Sequence, residues 1–372
     1  MMSRDDLLAR LEELLQCPIT GQRLQVLDPE RLAATNERVR GSALTHAGGE
    51  PVASSIEDAL VTADGALLYA VHEGVALMLP ELAIPLTPRG VAHASGVALR
   101  GYSSAVREFY EQVGWTERAS GVFEDAARFE DLRPVALEYV QRCHLRVREH
   151  LPPSGRYLLD AASGPVQYPE YLGYSEGFEA RVCLDLSLQA LRLAQRRVPE
   201  GRGIFVLGDV TELPFRSDAF DAVVSLHTIY HVPAERQGRA LDELYRVLAR
   251  GGRGVVVYSW GPHSLFMRLA RLPGRLLRAP LRRLRRSAAE VAPAATDEPT
   301  LYFEPQPYAW FEQQRGRYRL GVWRSVDVAF TRTFVHGPLA GRQLLRALFA
   351  LEQRFPGLAG RHGAYPLFIM SK

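Results

Sequence analysis

The stretch YLLDAASGPVQYPEYL, residues 157–172, decides how this chain reads. An apolar run, Tyr157 to Leu159, meets a carboxylate at Asp160 and then the small residues Ala161, Ala162, Ser163 and Gly164. That order describes a strand ending in a ligand loop. The loop has one glycine where nucleotide-binding loops usually carry two or three. A dinucleotide loop places glycine where backbone N–H groups must receive a pyrophosphate. Asp160 in that place repels a pyrophosphate and favours a ligand that carries positive charge.

Outward from this loop, strands and helices alternate. Strands are expected at about 157–161, 181–185, 203–207, 220–226 and 253–259, with helices at about 187–198 and 234–249. Ser187 suits the N-cap of the first helix and Gly251 the stop of the second. This alternation implies an α/β fold with a doubly wound, mostly parallel sheet. In such a sheet the ligand lies beyond the carboxyl ends of the strands, where the strand order reverses. Asp160, Asp185, Asp209 and Ser225 all fall at such ends. Asp185 follows Asp160 by 25 positions, about the interval at which a second strand delivers an acid to ribose hydroxyls. Asp209, in LGDVTELPF, falls where a third acid can accept from an adenine amino group. A single Asp after a strand is more often a turn residue or a cap, so the weight rests on three in succession.

The rest of the chain sets bounds. At 372 residues, with 47% hydrophobic residues, it can bury a large core and suggests two or three structural units. A formal net charge of +3 is too weak to argue for nucleic acid. Cys17, Cys143 and Cys183 form no CxxC pair, which speaks against disulfides and structural zinc and for a reducing, cytoplasmic setting. No apolar run approaches the ~20 residues of a membrane span. Residues 1–85 read as a small β-rich domain, with a helix at Asp5–Leu15, a long polar stretch, and hairpin signals at Gly65 and Gly74. Residues 86–150 read as a helical lid and linker, in which Leu137, Val140, His144, Val147 and Leu151 share one helix face. Residues 151–372 form the ligand-binding domain, with an Arg-rich insertion at about 263–300 and a linker, SAAEVAPAATDEP. The chain then closes with a helix near 308–314, a strand YRLGVWRSVDVAF, a helix near 339–355 and a strand AYPLFIMSK.

LLDAASGP, VCLDLS, VLGDVTELPFRSDAFDAVVS and LYRVLARGGRGVVVYSW occur in the order and at the spacing of class I S-adenosylmethionine-dependent methyltransferases of the small-molecule type. The resemblance covers roughly residues 150–260 and the last strand. It implies a seven-stranded Rossmann-like sheet and an enzyme that uses S-adenosylmethionine and releases S-adenosylhomocysteine, with no metal. On the matching positions it implies that Asp160, Ala161, Ala162, Ser163 and Gly164 hold the methionine end, Asp185 and Leu186 the ribose, and Asp209 and Val210 the adenine, with Ser225 at the next strand end. Ala162 replaces the usual first loop glycine, which is cheap at negative φ and strained at positive φ. LLQCPITGQRL and ALLYAVHEGVALMLPE resemble the zinc-ribbon-like activating subunits of tRNA-, ribosome- and release-factor-modifying methyltransferases. Thr20 stands where the paired cysteine of that family would be, so the resemblance implies a metal-free stabiliser or docking module.

For the acceptor side, SLHTIYHVP resembles the segment that borders the methyl group, and His227 and His231 are candidate proton acceptors because histidine titrates near neutrality. Tyr110, in the lid segment YSSAVREFYEQVGW, is a third candidate, and Trp115 is either a wall or a core aromatic. The expected acceptor is a small molecule attacked at O, N or C, apolar or natural-product-like. Two alternatives stand beside it: modification of RNA or protein, and a cofactor-binding protein without turnover. The Arg-rich helix offers peripheral contact with anionic lipid or an amphiphile, or with RNA phosphates.

Overall fold

The computed structural model describes residues 2–95, 115, 123–272, 302–314 and 316–372. Tyr110, all of the segment YSSAVREFYEQVGW but Trp115, most of the Arg-rich insertion and the SAAEVAPAATDEP linker lie outside the described residues.

The apolar run that opens the ligand loop forms β6 (Gly155–Ala161), and the alternation after it delivers β7 (Phe178–Asp185), β8 (Gly203–Leu207), β9 (Phe220–Leu226) and β10 (Leu248–Val257). All five pair in parallel, in the order β8-β7-β6-β9-β10. β11 (Tyr318–Arg324) and β12 (Tyr365–Ser371) complete that side, with β12 antiparallel to both β10 and β11. β11 therefore runs in the direction of β10, so its carboxyl end and the start of β12 lie at the edge where β6 to β10 end. The order reverses between β6 and β9, which makes that edge the switch point. Buried on both faces, these strands read as near-continuous apolar runs, as parallel strands do.

The fold is α/β and doubly wound, as expected, but the sheet has twelve strands rather than seven. The additional five come from the front segment: β1 (Leu24–Val26), β2 (Asp58–Thr62), β3 (Leu67–His72), β4 (Val75–Leu77) and β5 (Ile84–Pro85). β2, β3 and β4 form antiparallel hairpins. His72 pairs with Val75 across Glu73 and Gly74, both at positive φ, as a two-residue type I′ turn requires. β4 then pairs in parallel with β8, so the front segment prolongs the sheet. The helix Arg4–Leu14, N-capped by Ser3, buries Leu8, Leu11 and Leu14 in one apolar cluster with Tyr157, Phe215 and Phe220. Leu15 bridges Phe215, and Tyr157 Oη donates to Glu13 Oε2 at 3.1 Å. In the turn after the first helix, the Thr20 N–H donates to Cys17 Sγ (3.4 Å), and Tyr69 Oη lies 3.2 Å from that sulfur.

Several local expectations change. The polar stretch contains a helix, Pro29–Arg40, capped by Asp28. Ser187 caps Leu188–Arg197 as expected, but the helix Ala234–Val247 stops before Gly251, which lies in β10 where the register with β9 shifts. The strand read through SVDVAF ends at Arg324, because Asp327 accepts from Phe330 N and starts the helix Val328–Phe334. Val140, His144, Val147 and Leu151 are buried together, whereas Leu137 is exposed.

Deleting residues 1–85 uncovers the edge of β8 and the apolar surface beneath Leu8, Leu11 and Leu14. A bare edge of this kind recruits other chains. The truncated protein should aggregate or lose cooperative unfolding, while the full chain stays soluble. Size-exclusion chromatography and thermal melting of the two proteins check this.

Candidate functional site

A cavity of about 380 Å³ opens at the carboxyl edge of the strands. Of the expected cofactor residues, Asp160, Ala162, Ser163, Gly164, Asp185, Leu186, Asp209 and Val210 line it. Ala161 and Ser225 are fully buried and do not. His227 and His231 line it as well, and Trp115 lines it beside Gly164.

The loop after β6 keeps a glycine-type backbone without the glycines. Ala162, Gly164 and Val166 all have positive φ (58°, 54° and 52°). Gly164 is obligatory, because a Cβ there would lie 2.8 Å from Trp115 Cη2. Ala162 is therefore in the strained case, and Val166, β-branched and buried, is a sharper outlier. Residues held this way cost roughly 1–3 kcal/mol each and cluster where function over-determines the backbone.

What holds the loop is Asp185, the last residue of β7. Its Oδ2 accepts from Gly164 N and its Oδ1 from Ser187 N, both at 2.9 Å. Burial pushes this carboxyl up to about 6, against the pull of those backbone donors. Asp209 Oδ1 accepts from Thr211 N at 2.7 Å, which fixes the turn after β8. Asp160 is not the lone negative charge the sequence suggested. Its Oδ2 accepts from Arg181 Nε at 3.1 Å and is also held by Nη2, with both residues buried. Its attraction for a cation is correspondingly weakened, and Arg181 Nη1 donates to Tyr171 O (2.6 Å), tying the loop's exit helix to the sheet.

On the acceptor side, His227 has φ 59°, a conformation histidine tolerates better than most residues. Its Nδ1 lies 3.1 Å from Tyr230 Oη, and its ring meets Trp323 and Tyr365 edge-on. His231 Nδ1 donates to Tyr302 O (2.6 Å), so its Nε2 carries the lone pair. Burial, with Arg324 adding to it, pushes His227 down to about 3, and burial pushes His231 down to about 4. Both are neutral at pH 7 and far weaker bases than their unperturbed side chain.

Sequence reasoning missed Trp323, Arg324, Tyr365 and Glu130, all of which line the cavity. Arg324 ends β11 and is 2% exposed. Its Nη1 donates to Glu130 Oε1, and its guanidinium lies against the rings of Trp323 and Tyr365 at 4.6 and 5.2 Å. Burial opposes both charges of the pair, yet each holds the other ionised. Behind them, Glu352 Oε1 accepts from Tyr139 Oη (2.7 Å) and Ser325 N (2.7 Å), while Oε2 accepts from Arg146 Nη1 and Nη2 at 3.1 Å each. The signal that could have found this wall is topological: Arg324 is a strand carboxyl end like Asp160 and Asp185.

Residues 159–256 match a family model described as "Methyltransferase domain". Among curated proteins, the chain is 39% identical over 106 residues to a demethylmenaquinone methyltransferase of Clavibacter sepedonicus, covering 28% of this chain and 42% of that protein. It is 28% identical over 175 residues to the methyltransferase GfsG of Streptomyces halstedii, covering 44% and 61%. Neither match spans two thirds of the relative's length. Among solved structures, a Haemonchus contortus phosphoethanolamine N-methyltransferase 2 in complex with S-adenosyl-L-methionine aligns at 16% identity over 78% of this chain and 63% of that one, with a TM-score of 0.42. Residues 159–256 thus carry a likeness to a methyltransferase domain, and they lie within the doubly wound α/β sheet. Among the described residues, no group of three or more His, Cys, Asp or Glu is arranged to hold a metal ion, and no helix is long and apolar enough to cross a membrane.

Replacing Ala162 by Gly removes the αL penalty of an L-residue, about 1 kcal/mol, less part of it for the added freedom of the unfolded chain. The variant should unfold at higher urea concentration than wild type. An unchanged or lower midpoint would contradict the strain assigned to this loop.

Proposed function

We propose that the chain is an S-adenosylmethionine-dependent methyltransferase acting on a small-molecule acceptor with an apolar or aromatic body. The observation that carries this reading is Asp185: a buried carboxylate at a strand end, on the cavity wall, fastened to the very loop that a methionine-bearing ligand would meet. The residues fit the group. Asp185 can accept from the ribose diol through charge-assisted hydrogen bonds, Asp209 and Val210 stand at the adenine position, and Gly164 leaves the loop backbone open to approach. Asp160, Ala162 and Ser163 border the methionine end, with the Asp160 charge moderated by Arg181. S-adenosylmethionine supplies a sulfonium-activated methyl group: the acceptor's lone pair forms the new bond, the S–C bond breaks with its electron pair remaining on sulfur, and S-adenosylhomocysteine leaves.

The chain's own work is then to align the acceptor and exclude water. His227, with Trp323 and Tyr365 against its ring, and Tyr230 and His231 border the acceptor. The aromatic character of these walls favours a small apolar molecule over RNA or protein. The front segment, in this reading, is a fused stabiliser that no longer needs metal, and the setting is cytoplasmic. The basic segment from His263 onward is proposed as a peripheral contact for an amphiphile or lipid surface.

Calorimetric titration tests the reading directly. S-adenosylmethionine and S-adenosylhomocysteine should bind with micromolar affinity and NAD should not bind. Asp185→Ala should weaken binding by more than about tenfold, since it removes charged hydrogen bonds worth roughly 1.5–3 kcal/mol. Wild-type affinity in that variant would sink the ribose assignment.

The pH dependence has two opposite arms. The ionised carboxylate is the form that accepts from hydroxyls, so binding should be full above pH 6 and decline as pH falls through about 6. The same group's folded value lies above its unfolded 3.8, so its contribution to folding stability is full below that value and is lost as pH rises through about 6. Affinity and melting temperature, measured in the same buffers between pH 4.5 and 7.5, should therefore diverge, and they should do so less in Asp185→Ala.

A further inference from the structure

We infer that the end of the cavity built by β11 and β12 is an acceptor subsite for an acidic hydroxyl, a phenol or an enol, bound as its anion by the open Nε–H of Arg324. This rests on the methyl-transfer reading and narrows its substrate class.

The geometry of the wall carries the inference. Arg324 is a buried guanidinium on the cavity wall, and its Nε–H has no acceptor among the described residues. A buried donor left unmade is costly, and a ligand oxygen at this wall can recover that cost. The acids nearby are already committed. Glu130 Oε1 serves Arg324 and also accepts from Asp131 N (3.0 Å), while Oε2 faces His144 Nε2 at 3.6 Å. Asp125 Oδ2 accepts from Gln167 Nε2 at 3.0 Å, and burial pushes that carboxyl up, toward its neutral form. Glu130 balances the guanidinium's charge, as Arg181 does that of Asp160, so what Arg324 offers an oxygen at this end is its open Nε–H.

His227 agrees in polarity. When Tyr230 Oη donates to its Nδ1, the remaining Nε2 carries the proton and is a donor, which suits an oxyanion. The flat walls, Trp323, Tyr365 and the His227 ring, suit a planar conjugated body.

Chemistry disfavours two other acceptor classes. An aliphatic alcohol must lose a proton to a strong base as it attacks, and His227 and His231, pushed down to about 3 and 4, are not strong bases. A protonated amine entering here meets another donor, Arg324 Nε–H, where it needs an acceptor. A phenol or enol ionises readily, and beside a buried cation more readily still. Its proton passes to solvent before transfer. The anion's lone pair then bonds to the methyl carbon as the S–C bond breaks, and the positive sulfonium and negative acceptor become two neutral products.

The test uses the full chain saturated with S-adenosylhomocysteine and three probes: 4-nitrophenol, 4-nitrobenzyl alcohol and 4-nitrobenzylamine. Calorimetry gives their affinities, and the visible absorbance of nitrophenolate gives the ionised fraction of the bound phenol. In the wild type, bound 4-nitrophenol should be more ionised than free phenol at the same pH, and it should bind about tenfold or more tighter than the amine, as one charge-assisted contact would provide. Arg324→Met should abolish both effects and keep S-adenosylhomocysteine affinity. Because that change strands Glu130, the double variant Glu130→Gln/Arg324→Met removes the pair together and keeps the test open if the single variant misfolds. Phenol bound in neutral form, the amine bound as well or better, the variants indistinguishable from wild type, or no phenol binding at millimolar concentration would each overturn the inference. Failure of S-adenosylhomocysteine itself to bind would instead bring down the reading beneath it.

Discussion

The Asp185 carboxylate is the point on which the site depends. With one oxygen it receives the N–H of Gly164, across the boundary between β6 and β7, and with the other the N–H of Ser187, at the start of the following helix. Two adjacent strand ends and a helix N-terminus are thus fixed by one group. The buried carboxylate is costly to ionise, and that cost is offset by backbone donors that have nowhere else to go. The loop it fastens can then hold Ala162 and Val166 in a conformation that either residue would leave if free. Strain at the site and burial of a charge are two faces of one arrangement, in which the surrounding sheet supplies the stability that the ligand end gives up.

The opposite wall is organised by charge rather than by backbone. Glu352 gathers Arg146, Tyr139 and Ser325, and Glu130 gathers Arg324. These contacts bring residues 130–146 and 323–352, nearly two hundred positions apart, against the end of β11. A buried ion pair gives little net stability over a well-packed apolar alternative. Its effect here is one of position: it sets Trp323 and Arg324 on the cavity, where Arg324 adds to the burial that keeps His227 a neutral imidazole while Glu130 pulls the other way.

These two walls differ in how far the sequence discloses them. Asp160, Asp185 and Asp209 each close a run of apolar residues, so local pattern and the switch-point rule are enough to bring them together, and all three line one cavity. Ala161 and Ser225 obey the same local pattern yet point away from the ligand, because side chains alternate along a strand and the rule places backbone, not side chains. Arg324 was hidden for another reason. Its strand was legible, but its direction depends on β12 running antiparallel, a fact of topology that no short window of sequence contains. Its partner Glu130 sits outside the recognisable motifs altogether. The positive φ at Ala162 was likewise posed as a question by the sequence and could be answered only by the loop's tie to Asp185.

The front segment carries short β-strands, and they join the central sheet rather than a sheet of their own. Its strands are short, antiparallel and bounded by the glycines that marked them, but β4 lies along β8 as one more parallel strand. An outer strand of an α/β sheet presents a row of unpaired N–H and C=O groups that must be covered. Here β4 satisfies that row on β8, and the hairpins beyond it move the exposed edge out to β1, a strand of three residues. The helix Arg4–Leu14 covers apolar surface on the same flank, packing Leu8, Leu11 and Leu14 into the cluster that holds Tyr157 at the start of β6. Since β6 ends at Asp160 and the ligand loop, the front segment bears on the site through the strand it helps to bury, without contributing a residue to the cavity.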